Sequence, residues 1–317
     1  MSINKISSKG FGNKNTADLR HMYEECTLCP RNCHADRTKA GGFCKAGSRP
    51  RLAKAMLHKW EEPCIAGTRG SGAIFFSGCT LKCIYCQNFD ISHDNFGADI
   101  DAERLADIVL ELQDSGAQTV EFITGTQFIP DIIYALDKVK HKLDIPTVFN
   151  CGGYESEDSI KLLDGYIDVY LPDIKYFSDE LAFKYSGAPH YFETAAAAVH
   201  EMIRQTGKPQ FGDDGIMTNG VIIRHLVLPN CRHDSIRLME ELAAGFDKDS
   251  FLISLMSQYT PFYKAKEIKE LSRRLTSLEY DSVLRRIEEL GFNGFMQEKS
   301  SAKEEYTPVF DLSGVMD

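Results

Sequence analysis

No stretch of this sequence is apolar for the length of a membrane-crossing helix. Its first twenty residues (MSINKISSKGFGNKNTADLR) hold no apolar core of signal-peptide length either. The chain is therefore expected in the cytoplasm, with no membrane partner. Internal repeats are absent, as are low-complexity tracts beyond the short Ala195–Ala198 run. Positive charge is not in excess: the formal net charge is −10, which argues against a nucleic-acid surface. That charge is uneven, because residues 1–60 carry a balance of +8 and the remainder −18. Two expectations follow from the contrast. The basic segment packs on the acidic body, or it offsets the negative charge of thiolate-bound clusters or docks an acidic partner.

What the chain does have is cysteine. Ten cysteines in a reducing compartment call for a reason other than disulfides. Seven fall into two tight groups, while Cys64, Cys151 and Cys231 stand alone and are read as small buried residues.

From Ala73 onward the pattern alternates between two periods. Apolar, β-rich runs occur at Ala73–Ser77, Thr119–Thr124, Pro146–Asn150, Ile167–Leu171, Val221–Leu228 and Phe251–Met256. Helical patterns fill the gaps at Ala102–Asp114, Ile129–Lys142, Glu157–Leu163, Asp179–Tyr185 with Thr194–Thr206, and Asp234–Gly245. Six such units in series predict an α/β fold: a partial (β/α)6 TIM-like barrel with a small N-terminal cysteine-rich module. The expected divisions are a disordered tail over 1–16, the cysteine module over 17–64 and the partial barrel over 65–260. A C-terminal helix (Ser277–Leu290), a strand near Gly294–Glu298 and an extended tail occupy 261–317.

The segment Phe76–Asn88 follows the first barrel strand directly and contains Cys79, Cys83 and Cys86 in the spacing C-x3-C-x2-C. Closed structural sites normally draw four ligands. Three on one loop leave a coordination position open, and the loop sits at a strand's carboxyl end, where barrel active sites are built. A zinc site or three inert thiols is the plainer alternative.

On these residues the chain resembles the radical S-adenosylmethionine superfamily, and within it the pyruvate formate-lyase activating-enzyme-like group, whose loop has the same C-x3-C-x-aromatic-C form. Glu61-Glu62-Pro63, Gly67–Ser77, Cys86-Gln87-Asn88, Leu171–Lys175, Ile223–Pro229 and Leu255–Pro261 extend the resemblance over roughly residues 20–310. The resemblance implies a 4Fe–4S cluster on Cys79, Cys83 and Cys86, with S-adenosylmethionine on the open iron. One electron then yields a 5′-deoxyadenosyl radical for hydrogen abstraction. It further implies an electron donor such as flavodoxin or ferredoxin, and a glycyl radical enzyme as the protein substrate. Tyr85 is expected against the adenine, or packed into the barrel.

Polar residues at later strand ends should reach the same mouth. Thr124-Gly125-Thr126 stands where the superfamily often places a Gly-Gly-Glu segment for the methionyl amine; with no glutamate there, hydroxyls or carbonyls must serve. Asn150 opens the glycine turn Asn150–Tyr154. Asp173 and Lys175 resemble the Asp-x-Lys segment of the activases and are spaced to pair. Arg224 lies in an otherwise apolar strand, so it needs an interior anion, for which the cofactor's carboxylate is the candidate. His225 should point away and pack. Gln258 and Tyr259 are candidates for adenosine or substrate contacts.

Cys26, Cys29, Cys33 and Cys44 give C-x2-C-x3-C-x10-C, four ligands able to close a site. Zinc or a second iron–sulfur cluster fits this spacing. Three functions compete: an activase of a glycyl radical enzyme, a radical enzyme modifying a small molecule or peptide, and a non-catalytic zinc-stabilised binding protein.

Overall fold

Apolar, β-branched runs alternating with amphipathic helices are buried together when a parallel sheet is covered by helices. The computed structural model, which describes residues 16–297 and 308–316, has this arrangement. The tail expected over 1–16 therefore lies almost wholly outside the described residues.

The strands are β1 (Arg51–His58), β2 (Ser71–Phe76), β3 (Ala98–Asp99), β4 (Val120–Ile123) and β5 (Thr147–Cys151), followed by β6 (Val169–Pro172), β7 (Gln210–Phe211), β8 (Met217–Leu226), β9 (Leu252–Met256) and β10 (Gly294–Met296). They lie in the order β10-β9-β8-β6-β5-β4-β2-β1-β3, with β7 beside β8. Every pair from β2 to β10 along this path is parallel. The path has two ends, so the sheet is an open partial barrel, as the alternation predicted.

Strands β2, β4, β5 and β6 are buried at every position, as strands covered on both faces must be. Helix ends follow local chemistry. Asp101, Ser156 and Ser178 each cap a following helix by accepting a backbone N–H, and Thr276 with Glu279 forms a capping box for Ser277–Leu290.

Two features extend the expected architecture. The run after the sixth barrel strand continues into β10, a seventh parallel strand laid on β9. Strand β1, within the segment assigned to the cysteine module, pairs antiparallel with β2 and belongs to the main sheet. The chain's last described segment packs along β1 through Ala55 N–H to Ser313 O (3.0 Å) and Leu312 N–H to Ala53 O (3.0 Å).

The cysteine module is fastened to the sheet by Arg37, which is 2% exposed. Its guanidinium donates to the carbonyls of Ala46, Gly47 and Gln127 and to Cys26 Sγ at 3.6 Å, and it lies over the rings of Tyr23 and Phe128. The basic segment thus reaches the body partly through carboxylates (Arg20–Asp131, Arg51–Asp99, Lys54–Asp311) and partly through carbonyls. Among the described residues, no helix is long and apolar enough to cross a membrane.

Candidate active site at the carboxyl ends of the strands

A cavity of about 450 Å³ opens at the carboxyl ends of the parallel strands. Cys79, Cys83 and Cys86 line it from the loop after β2. That loop is shaped by Gly78, whose φ of +83° suits a residue without Cβ, and whose Cβ position would lie 2.6 Å from Cys44 O. Each sulfur accepts a hydrogen bond: Cys79 from Leu81 N–H (3.4 Å), Cys83 from Ser186 Oγ (3.0 Å) and Cys86 from Ser92 Oγ (3.3 Å). Burial pushes the Cys79 thiol up to about 12 and the Cys86 thiol up to about 11, with neighbouring loop sulfurs adding to the rise. Cys79 and Cys86 thus resist separate ionisation, and three soft donors facing one cavity favour a shared cation. The donor set fits an iron–sulfur cluster: sulfur only, every sulfur hydrogen-bonded, one side open to the cavity. Among the described residues, no three His, Cys, Asp or Glu side chains are grouped to hold a single metal ion. Thiolates on separate irons of a cluster stand further apart than ligands around one zinc ion.

The charged residues singled out in the sequence meet around Arg224. Its Nε donates to Asp173 Oδ1 (2.8 Å), Nη1 to Glu61 Oε2 (3.1 Å) and Nη2 to Asn150 Oδ1 (2.6 Å). An interior anion was expected for this residue, and the protein itself supplies two. Asn150, Asp173 and Glu61 thus take three of the five N–H donors of Arg224, which also lines the cavity. Asp173 Oδ2 accepts from Lys175 Nζ at 2.6 Å. Burial opposes the charge on all three groups, yet their mutual attraction prevails: Asp173 is held below the usual carboxylate range while Lys175 and Arg224 are raised. His225 points away, bonded to Ile174 O (2.6 Å) and Ser235 Oγ (2.8 Å); burial depresses its pKa to about 4.

Tyr85 lies in the cavity wall, its hydroxyl 2.6 Å from that of Tyr176 and its ring 6.2 Å from the ring of Tyr259. Thr124, Asn150, Gln258 and Tyr259 line the same space, and Gln297 Nε2 donates to Gln258 Oε1 at 3.4 Å. Gly125 and Thr126 do not line it. Gly125 is packed among Ile132, Phe149 and Phe76, while Thr126 Oγ1 donates to Glu155 Oε1 at 3.0 Å.

Glu155 was not singled out in the sequence. It follows the Gly152-Gly153 turn, whose Gly153 (φ +79°) sits so close to Asp173 O that a Cβ would lie 2.0 Å away. Glu155 is 1% exposed, and its Oε2 has no hydrogen-bond partner among the described residues. Burial raises its pKa to about 7; the Cys151 thiol beside it, the Thr126 hydroxyl and the nearby Lys175 pull it back only partly. Glu62 Oε2 and Asn88 Oδ1 are two further buried acceptors on the cavity wall without a partner among the described residues. Glu121, buried in β4, accepts from Asn150 Nδ2 at 2.7 Å and from Ser71 Oγ at 3.1 Å. The rule that found Arg224, a charge inside an apolar strand, applies equally to Glu121. Glu155 gives no such signal, because an acid just before a helix reads as an exposed first-turn residue.

Residues 73–226 match the model of the Radical SAM superfamily. Over 273 residues the chain is 29% identical to the uncharacterized protein MJ0674 of Methanocaldococcus jannaschii, covering 84% of this chain and 75% of that one. A solved structure similar to it is Streptococcus suis SuiB bound to precursor peptide SuiA, at 14% identity and a TM-score of 0.46, over 69% of this chain and 46% of that one. A spore photoproduct lyase mutant is similar at 14% identity and a TM-score of 0.48, over 70% of this chain and 74% of that one. The chain spans less than half the length of SuiB.

The charge network yields a stability prediction. Replacing Arg224 by Ala strands Asp173 and Glu61 together in the interior, and breaking a buried pair this way costs about 3–5 kcal/mol. Urea unfolding of R224A should show a loss of that order. A midpoint within error of wild type would mean that the carboxylates find other partners.

Proposed function

With residues 73–226 identified as a radical SAM superfamily domain, we propose that the protein is a radical S-adenosylmethionine enzyme that abstracts hydrogen from a polypeptide and activates a glycyl radical enzyme. The observation that carries the reading is the loop of Cys79, Cys83 and Cys86, three hydrogen-bonded thiols lining one cavity. A 4Fe–4S cluster held there would, with S-adenosylmethionine bound and one electron supplied, provide the 5′-deoxyadenosyl radical that abstracts hydrogen.

The chain's residues do the remaining work. Cys79, Cys83 and Cys86 hold the cluster. Lys175 has donors left over beyond Asp173 and faces the cavity, which suits a methionyl carboxylate. Glu155 Oε2, buried and without a partner, suits the methionyl amine, a role that Thr124, Gly125 and Thr126 cannot fill with side-chain carboxylates. Thr126 then orients Glu155. Arg224 fixes Asn150 and Asp173, and Tyr85, Gln258 and Tyr259 offer an aromatic and amide wall to the adenosine.

The open sheet and a cavity wall carrying the exposed side chains of Trp60 and Met296 support a polypeptide substrate. Modification of a small molecule or peptide is the second reading; the acids Glu61 and Glu62 on the cavity wall favour it, since a glycyl backbone needs no such charge. The electron would come from a carrier such as flavodoxin or ferredoxin. Cys26, Cys29, Cys33 and Cys44 hold a second metal centre in this account.

Anaerobically reconstituted protein supplied with dithionite and S-adenosylmethionine should release 5′-deoxyadenosine, and C83A should release none. Iron-loaded wild type that never does so would overturn the reading. The amine contact has its own readout in binding. E155Q should weaken S-adenosylmethionine by about 10–100-fold in calorimetry at pH 8, the loss expected for a charge-assisted hydrogen bond. Glu155 titrates near 7, so wild-type affinity should fall as pH drops below that value and E155Q affinity should not. An unchanged affinity in E155Q assigns the amine to another group.

A further inference from the structure

The connection between β1 and β2 closes the amino end of the parallel sheet. Because β1 runs antiparallel to β2, His58 stands opposite Ser71, and the residues between them turn at that end. The Thr119 hydroxyl, just before β4, donates to Ile65 O at 3.1 Å. Cys64 and Ile65 pack with Val148 of β5 and Val169 of β6. Glu61 and Glu62 sit on this connection and line the same cavity as Cys79, Cys83 and Cys86, which lie beyond the opposite end of β2. The cavity therefore runs from an acidic floor to the cysteine loop.

The acids around that floor differ in what holds them. Asp173 accepts from Arg224 at one oxygen and from Lys175 at the other. Glu121 accepts from Asn150 at one oxygen and from Ser71 at the other. Glu61 accepts from Arg224 Nη1 at 3.1 Å, and His58 Nε2 stands 3.8 Å from its second oxygen. Glu62 is only 9% exposed, yet its Oε2 has no partner among the described residues. It precedes the short helix Pro63–Ala66 without accepting a backbone N–H from it. Burial and the neighbouring Glu61 disfavour its charge, and Arg224 offsets them only partly. Glu155 also keeps an unpartnered oxygen, but it follows the carboxyl end of β5 and suits the methionyl amine. A buried carboxylate such as Glu62 gains most from a ligand that brings its own positive charge and hydrogen-bond donors.

Above the floor the wall turns apolar. Ile123, Leu226 and Met256 line the cavity, and each ends its strand two residues beyond a polar one: Glu121, Arg224 and Ser254. Residues two apart on a strand share a face, so these three stand one step nearer the cysteine loop than the polar layer. An apolar sleeve over a carboxylate matches a side chain with a methylene stem and a charged tip.

We propose that Glu62 receives the ammonium or guanidinium tip of a lysyl or arginyl side chain of the polypeptide substrate, whose stem lies along Ile123, Leu226 and Met256. Anchoring the tip on the floor leaves the stem and the backbone that carries it on the side of the cysteine loop, where hydrogen is abstracted. That abstraction geometry rests on the radical SAM reading; the cation site does not. A neutral side chain in the same place leaves Glu62 unpaired, so the floor discriminates against it.

Calorimetry on the anaerobically reconstituted full chain, without reductant, tests this independently of turnover. The probes are acetyl-Gly-Lys-Gly-amide and the same peptide with norleucine in place of lysine. The lysyl peptide should bind wild type about 10–100-fold more tightly, the margin of a charge-assisted hydrogen bond. In E62Q that margin should disappear, while E62D, which keeps the charge, should retain part of it. Thermal unfolding checks that E62Q is folded, and the wild-type comparison stands whether or not it is. Equal affinity of the two peptides for wild type, or a lysyl preference that survives in E62Q, overturns the proposal. Free n-pentylammonium should bind more weakly than the lysyl peptide; equal affinity overturns the polypeptide source and assigns the cation to a small amine. Release of 5′-deoxyadenosine is read separately. Its absence beside an intact lysyl preference sinks the radical reading and leaves the cation site standing.

Discussion

A guanidinium inside a parallel sheet must find anions before the sheet can close over it. Arg224 meets that constraint by drawing in Asp173 from the end of β6, Asn150 from β5 and Glu61 from the β1–β2 connection. The rest of the site follows from those three contacts. Asp173 then holds Lys175 towards the cavity, and its backbone carbonyl leaves space only for Gly153 in the turn that delivers Glu155. Asn150 passes the network on to Glu121. One buried positive charge thereby fixes the strand ends that surround the cysteine loop.

The cysteines obey a second economy. Burial and neighbouring sulfurs push the thiols of Cys29, Cys44, Cys79 and Cys86 up, and the same burial makes their sulfurs good ligands once a cation is shared. The Leu81 N–H supplies a local counterweight at Cys79, and the Arg37 guanidinium one at Cys26. In the proposed function, Glu155 and Lys175 would extend the logic to a zwitterionic ligand. A carboxylate without a partner and an ammonium with donors to spare stand on the same cavity wall.

Much of this was legible in the sequence because period and spacing are local. The alternation from Ala73 to Met256 gave the six parallel strands, and the C-x3-C-x2-C loop after the first gave the centre of the site. Arg224 was conspicuous as a charge in an apolar strand, and Asp173 with Lys175 as residues that share a face. What escaped depends on tertiary contact. The partners of Arg224 lie 51, 74 and 163 residues away in sequence, and no local pattern names them. Glu155 looks like the first turn of any exposed helix until the glycine turn folds it inward. Strand β10 was legible as a short apolar run, but its pairing on β9 was not. The contact between Cys44 and Gly78 joins segments that only the folded sheet brings together.

The central claim is that the three-thiol loop leaves one iron open to S-adenosylmethionine. Electron–nuclear double resonance on the dithionite-reduced protein, mixed with S-adenosylmethionine labelled with ¹⁵N at the methionyl amine, addresses that claim directly. A ¹⁵N coupling that disappears in C83A is the predicted result. A reduced cluster whose spectrum shows no ¹⁵N coupling and does not change when the ligand is added would contradict the account.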